Sequence, residues 1–327
     1  MKAKAVLAAA GGRIKGIISN NPSECGVGLS TAALFVILCV VSPYFFTPRN
    51  MSNVVSQVAI IAILAIGETF VILTGGIDLS VGNTMGLCSM ITAYTIMGSQ
   101  SIAVGILCGI LSGIAIGTVN GLLVGYARMP AFIVTMGMMS ITRNADYLLC
   151  GGRSITGLPE RFGTLTSASL VPGVPYYYIA ILLLYMLMGW MLSNTKLGRY
   201  TYALGSNEQA TRLCGVNVKF QRVIPYAISG LMSSLAGIIL VSRFLACDPN
   251  YGAGNEMDAI AAVVIGGASL VGGKGTLIGT VIGVFLMGFI KNGLDIIGVS
   301  PYWQGVAVGT IIILAVVIER ITSRKKG

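Results

Sequence analysis

Residues 102–126, IAVGILCGILSGIAIGTVNGLLVGY, decide what kind of protein this is. The run carries no charge and no proline, and it exceeds the roughly 20 apolar residues that a helix needs to cross a bilayer core of about 30 Å. Six of its glycines, Gly105, Gly109, Gly113, Gly117, Gly121 and Gly125, recur at every fourth position. Small residues at that spacing let helix backbones approach closely where lipid supplies no hydrophobic drive. Each step of four advances about 40° around a 3.6-residue helix, so five steps wind through about 200°. The ladder should therefore touch helices on two sides, either as plain close packing or as a surface on which helices slide. Gly275, Gly279 and Gly283 repeat the spacing in a later segment.

Composition generalises the reading. Of 327 residues, 55% are hydrophobic and 10% charged, with a mean hydropathy of +0.85. A soluble domain carries about 25% charged residues, so disorder, a secreted disulfide scaffold and an ordinary cytosolic enzyme are excluded. The fold class expected is all-α, a polytopic membrane protein. Histidine is absent, and the seven cysteines form no CxxC pair; no metal or other cofactor is expected, and the cysteines read as small buried hydrophobes. A signal peptide is not expected either, because the first apolar stretch, 5–10, is short and precedes Arg13 and Lys15.

Eight runs are long enough to span: 26–46, 54–73, 102–126, 131–150, 176–192, 224–245, 276–297 and 303–318. Two more, 84–97 and 258–271, are apolar but short, reaching roughly 21 Å at 1.5 Å per residue. About ten segments result, two of them short. With both termini cytoplasmic, ten crossings put fifteen of the 21 basic residues inside and only Arg49, Arg153, Arg161 and Arg243 outside. That asymmetry is what the positive-inside rule requires, and it assigns the +10 net charge to membrane orientation rather than to nucleic acid. The division expected is a cytoplasmic segment 1–25, a membrane domain 26–319 with an inside loop 193–223, and a basic cytoplasmic tail 320–327. Paired short segments five apart suggest a five-plus-five inverted repeat with a transport site between its halves. A competing likeness between residues 75–82 and 266–273 pairs different helices, and the internal symmetry stays open.

Individual residues carry the rest. Asp78, after two glycines and before an apolar run, reads as the N-cap of the next helix, with solute contact as the rival role. Arg143 and Asp146 are three apart, Lys291 and Asp295 four apart, so each pair could neutralise itself on one helix face. Glu68 has no partner nearby in sequence, and an intramembrane charge is usually functional. Thr135, Ser140, Arg143 and Asn144 supply hydroxyl-matching groups on the segment after Pro130, suited to a neutral polyol or another neutral polar solute. In the inside loop, Ser206-Asn207-Glu208-Gln209 reads as a capping box opening a helix over 207–214 that Gly215 closes. Such a helix has no core of its own, so either a partner protein covers it or it rests on the membrane surface. Residues 272–276, GGKGT, are no phosphate loop: Ala268 stands where the first glycine belongs and Gly275 where Ser or Thr must follow the lysine.

Residues 74–83, TGGIDLSVGN, resemble the signature of permease subunits of bacterial ABC importers for monosaccharides, the ribose-type family. Residues 130–135 (PAFIVT), 151–153 (GGR), 205–216 (GSNEQATRLCGV), 258–267 (DAIAAVVIGG), 272–276 and 292–304 (NGLDIIGVSPYWQ) fit the same pattern. The resemblance implies a subunit of the bacterial inner membrane that moves ribose or a related pentose or hexose by alternating access. It implies, too, a cytoplasmic ABC ATPase, a periplasmic or lipoprotein sugar-binding protein and a second permease subunit. Glu68, Asp78, Asn83, Thr135, Ser140, Arg143 and Asn144 are then candidates for the solute pathway. Asn207, Glu208, Gln209, Ala210, Arg212 and Leu213 are candidates for coupling to the ATPase. An ion-coupled carrier using Glu68 or Asp78 is the alternative; a membrane enzyme lacks a nucleophile–base constellation.

Overall fold

Caps and breakers set the helix boundaries in the computed structural model, which describes residues 22–171 and 174–324. Most of the N-terminal segment and Lys325 and Lys326 of the basic tail lie outside the described residues. Helix α1 (Pro22–Val41) leads to α2 (Pro48–Leu73), which opens on Thr47, whose hydroxyl accepts from the Asn50 N–H, with proline in the first turn. Then come α3 (Val81–Ser99), α4 (Ile102–Gly125) and α5 (Ala131–Cys150). A short strand β1 (Ile155–Thr156), helix α6 (Glu160–Ser167) and the pair β2 (Ser169–Val171) and β3 (Val174–Pro175) fill the next loop. Helix α7 (Tyr176–Asn194) is followed by α8 (Lys196–Ser206) and α9 (Glu208–Leu213). The long α10 (Val218–Phe244), β4 (Ala246–Cys247), α11 (Asn255–Ile265), α12 (Leu277–Ile296) and α13 (Pro301–Arg324) complete the chain.

Each of the ten apolar runs overlaps a helix, although the run 258–271 is helical only as far as Ile265. Among the described residues six helices, α1, α2, α4, α7, α10 and α12, are long and apolar enough to cross a membrane, fewer than the about ten expected. Helix α3 corrects one expectation: it has 19 residues, about 28 Å, rather than a short 14. Its first turn, with Asn83 and Thr84, is polar yet buried against neighbouring protein, which apolarity alone does not register; Ser99 at the other end is exposed. Helix α11 is short, at 11 residues. The paired short segments thus reduce to one.

Helix α2 is the centre of the bundle, buried on almost every side from Val54 to Leu73. Peripheral helices expose apolar faces instead, as at Val36 and Val40 of α1, Leu107 and Leu111 of α4, and Leu182 and Leu183 of α7. The glycine ladder of α4 serves two seams. A Cβ on Gly105 or Gly109 would strike Ile96 or Thr92 of α3, whereas one on Gly113 would sit 2.7 Å from Ser234 Cβ of α10 and one on Gly121 2.7 Å from Val223 Cα. The second ladder presses Gly279 and Gly283 onto Gly266 and Ala262 of α11.

Loops gather at two ends. At one, the Gly273 N–H donates to Leu73 O (2.9 Å), the Tyr202 hydroxyl to Gly275 O (2.7 Å), and Arg222 pairs with Glu208. The two sequence-similar turns, 75–82 and 266–273, thus meet in space. At the other end β1 pairs antiparallel with β4, the Ser242 hydroxyl donates to Phe162 O (2.8 Å), and Ser154 donates to Asp248 (2.7 Å). That bond, with the Asn250 N–H, holds the Asp248 carboxyl below its ordinary range.

Candidate functional site

The α2–α3 turn folds inward and carries its charges with it. Glu68, fully buried, accepts at Oε1 from the Asp78 backbone N–H (3.1 Å), and its other oxygen has no partner. Asp78 Oδ1 accepts from the Ser80 N–H (3.0 Å) and hydroxyl (2.6 Å), and Oδ2 accepts from Ser229 of α10 (2.9 Å). Asn120 of α4 donates to Ser80 Oγ (3.0 Å). One buried network therefore ties α2, α3, α4 and α10 together. The expectation that Asp78 caps α3 is corrected: Ser80 holds the N-cap position, without a side-chain cap bond. The carboxylate instead closes a local turn through Ser80, two residues on, which is a characteristic alternative for Asp.

The pathway candidates split into two groups. Glu68, Asp78, Asn83 and Thr135 are buried; the Thr135 hydroxyl donates to Ile77 O (3.2 Å) and Ala131 O (2.9 Å), stapling α5 to the inward turn. Asn83 Nδ2 is buried without a partner. Ser140, Arg143 and Asn144 are exposed on the outer face of α5, where with Met139 and Tyr147 they line an open polar groove.

Neither expected charge pair forms. Lys291 pairs with Asp258 of α11, and Asp295 accepts from Gln304 of α13 (2.6 Å). Arg143 has no ion pair among the described residues, while Asp146 is buried with one oxygen unpartnered. Helix–helix contact brings Asp258 to Lys291, and sequence spacing could not reveal it. Asn120, Ser229, Tyr226 and Glu256 were also missed. Each is a polar residue whose burial is set by a distant helix, and only the buried Asn120 within an apolar run carried a signal.

At the end bearing α8 and α9, the coupling candidates occupy the short helix itself. Asn207, not Ser206, is the N-cap, its side chain accepting from the Ala210 N–H (2.9 Å), because Ser206 still belongs to α8. The helix has six residues rather than eight, and Gly215 follows at φ +81°, a left-handed closing position. Glu208 is committed internally, to Arg212 (3.0 Å) and to Arg222 of α10. Gln209 and Ala210 lie on the same turn, and Leu213 is 89% exposed. A large apolar side chain so exposed beside a charged clamp is suited to insertion into another protein.

Residues 50–316 match the family described as branched-chain amino acid transport system / permease component. The chain is 42% identical over 297 residues to the ribose import permease protein RbsC of Escherichia coli (strain K12), covering 89% of this chain and 92% of that one. It is 40% identical over 298 residues to the ribose import permease protein RbsC of Bacillus subtilis (strain 168), covering 91% and 92%. The D-allose transport system permease protein AlsC of Escherichia coli (strain K12) is 36% identical over 295 residues, 90% of each chain. No solved structure matches.

Proposed function

This chain belongs to the family of transport-system permease components, a transport subunit rather than an enzyme, and from that premise we propose that it carries ribose or a related monosaccharide in an ATP-driven importer. The single observation that supports the substrate class is likeness to ribose and allose permeases across about nine-tenths of the chain. As an ABC-type permease in the inner membrane it works with an ATPase and a substrate-binding protein. We place the ATPase at α9, where Leu213 stands exposed, and the binding protein at the opposite end, with β1, α6 and β4. The ten-crossing topology with both termini inside is supported by the way the expected inside loops gather at one end and the outside loops at the other. Alternating access would follow from nucleotide-bound ATPase favouring one arrangement and the nucleotide-free form another.

A second copy is the partner that the outer face of α5 requires. An arginine at the centre of a lipid-facing helix costs about 2.5–3.5 kcal/mol on insertion scales, and Arg143 stands among exposed apolar residues such as Ile141 and Leu148. A homodimer that places Ser140, Arg143 and Asn144 across a wet path removes that cost, with lipid covering the remaining apolar faces. The buried carboxylates weigh against ion coupling, since Asp78 and one oxygen of Glu68 are engaged by protein N–H and O–H donors. The test is uptake of labelled ribose into proteoliposomes holding the permease, its ATPase and its binding protein. Uptake should require ATP and both partners. Uptake driven by a proton gradient without the ATPase would overturn the reading.

A further inference from the structure

A cavity of about 490 Å³ lies between the 126–130 loop and the start of α10. It holds more positive charge than the protein neutralises. Arg128, Arg212, Lys219 and Arg222 line it against a single carboxylate, Glu208, which is taken up by Arg212 and Arg222. Among the described residues, neither Arg128 nor Lys219 has an ion pair.

Two helix N-termini open into the same space. Helix α5 begins at Ala131 after Pro130, which provides no side-chain cap. Helix α10 begins at Val218, and Asn217 caps only the Phe220 N–H. The Ile133 N–H is taken by Pro130 O (3.1 Å), which leaves the N–H groups of Ala131 and Phe132 in α5 and of Val218 and Lys219 in α10 without intrahelical acceptors. On the floor, Tyr226 is 1% exposed and its hydroxyl has no partner among the described residues, lying against Gly76, another residue of the cavity wall. Arg222 Nε is buried and unpartnered as well. Arg128 is held at φ +54°, a left-handed conformation that non-glycine residues avoid, and strain of this kind gathers at binding sites.

The geometry points to a binding site here for a phosphate-bearing ligand. Helix N-termini favour anions through free N–H groups and dipole. Guanidinium forks match phosphoryl oxygens two at a time. A phosphate monoester carries a charge of about −1.5 to −2 near neutral pH, which answers the surplus of cations over Glu208 better than one carboxylate does. The volume falls within the range of about 300–1,000 Å³ usual for small-ligand pockets. An occupant would bridge the α4–α5 joint to the α9–α10 joint and oppose any movement of α9 between them. Only the expectation that the ligand comes from the cytosol rests on the importer reading. A soluble phosphorylated metabolite and a phospholipid head group offer the same chemistry.

The experiment uses the full-length chain purified in a sugar-based detergent, free of phosphorus. Equilibrium dialysis with labelled inorganic phosphate and with a pentose phosphate measures soluble binding, and native mass spectrometry measures retained phospholipid. Saturable binding should be about tenfold or more weaker in Arg128→Gln/Lys219→Gln, as loss of charge-assisted bonds requires; neither residue has an ion pair to lose among the described residues, and thermal unfolding of the variant checks that it is folded. Retained lipid that phosphate displaces, and that the variant lacks, assigns the head group; saturable soluble binding without retained lipid assigns the metabolite. No binding by either route, or equal binding in chain and variant, overturns the site. No ATPase is present, so failure of the importer reading would leave this result untouched.

Discussion

Asp78 accepts from Ser80 and Ser229, and its own N–H goes to Glu68. A methyl group in its place leaves buried donors unanswered, so Asp78→Ala should destabilise the protein by about 1–3 kcal/mol per orphaned group. Asp78→Asn, which keeps one oxygen, should lose less. Thermal unfolding of the purified variants measures both, and equal losses would show that the hydrogen bonds do not matter. Lys291 and Asp258 make a sharper case, because Asp258 is 4% exposed and Lys291 partly buried. Lys291→Leu strands a buried carboxylate and should cost roughly 3 kcal/mol, whereas Lys291→Leu with Asp258→Asn should recover much of it. Failure of the second change to rescue the first would refute the pairing.

Between elements, the α4–α10 seam depends on absent side chains. Gly121→Val would drive methyl groups into the Val223 backbone, separating the helices and costing about 1–3 kcal/mol or more by overpacking. Gly189→Ala on α7 is the control, since nothing lies within 4 Å of its Cβ position; it should be neutral or stabilising by up to about 1 kcal/mol from helix propensity. Similar losses at both positions would dismiss close packing as the reason for the ladder. Helix α9 separates docking from scaffolding in the same manner. Leu213→Asp should leave thermal stability intact, because Leu213 touches solvent, yet reduce uptake and free ATP hydrolysis from it. Glu208→Gln should instead loosen the α9–α10 clamp and lower stability.

For the whole molecule, the exposed face of α5 makes the proposed dimer testable in native membranes. Gly137→Cys, in a chain whose own cysteines are replaced, should form an oxidative cross-link to a second copy, and the same change at the exposed Val40 of α1 should not. Cross-linking at Val40 alone would place the interface elsewhere. The basic cavity and α9 share one end of the bundle, so a change in either can be felt by the other through Glu208 and Arg222.

Apolar run lengths, glycine spacing and basic-residue asymmetry determined by themselves that this is a helical membrane protein, roughly where its long apolar helices run and that α4 must serve two seams, but not α6, α8 or the bounds of α3 and α9. Lipid enforces those features locally, because every backbone group in a span must be satisfied within its own helix. The family was legible as well, from short stretches of adjacent residues. Tertiary structure alone decided the partners of charged and polar side chains: Asp78 with Ser229, Lys291 with Asp258, Glu208 with Arg222. Such pairs join residues 14 to 151 positions apart, and local spacing carries no record of which helix faces which. Burial follows the same logic, since the polar first turn of α3 is buried by helices distant in sequence.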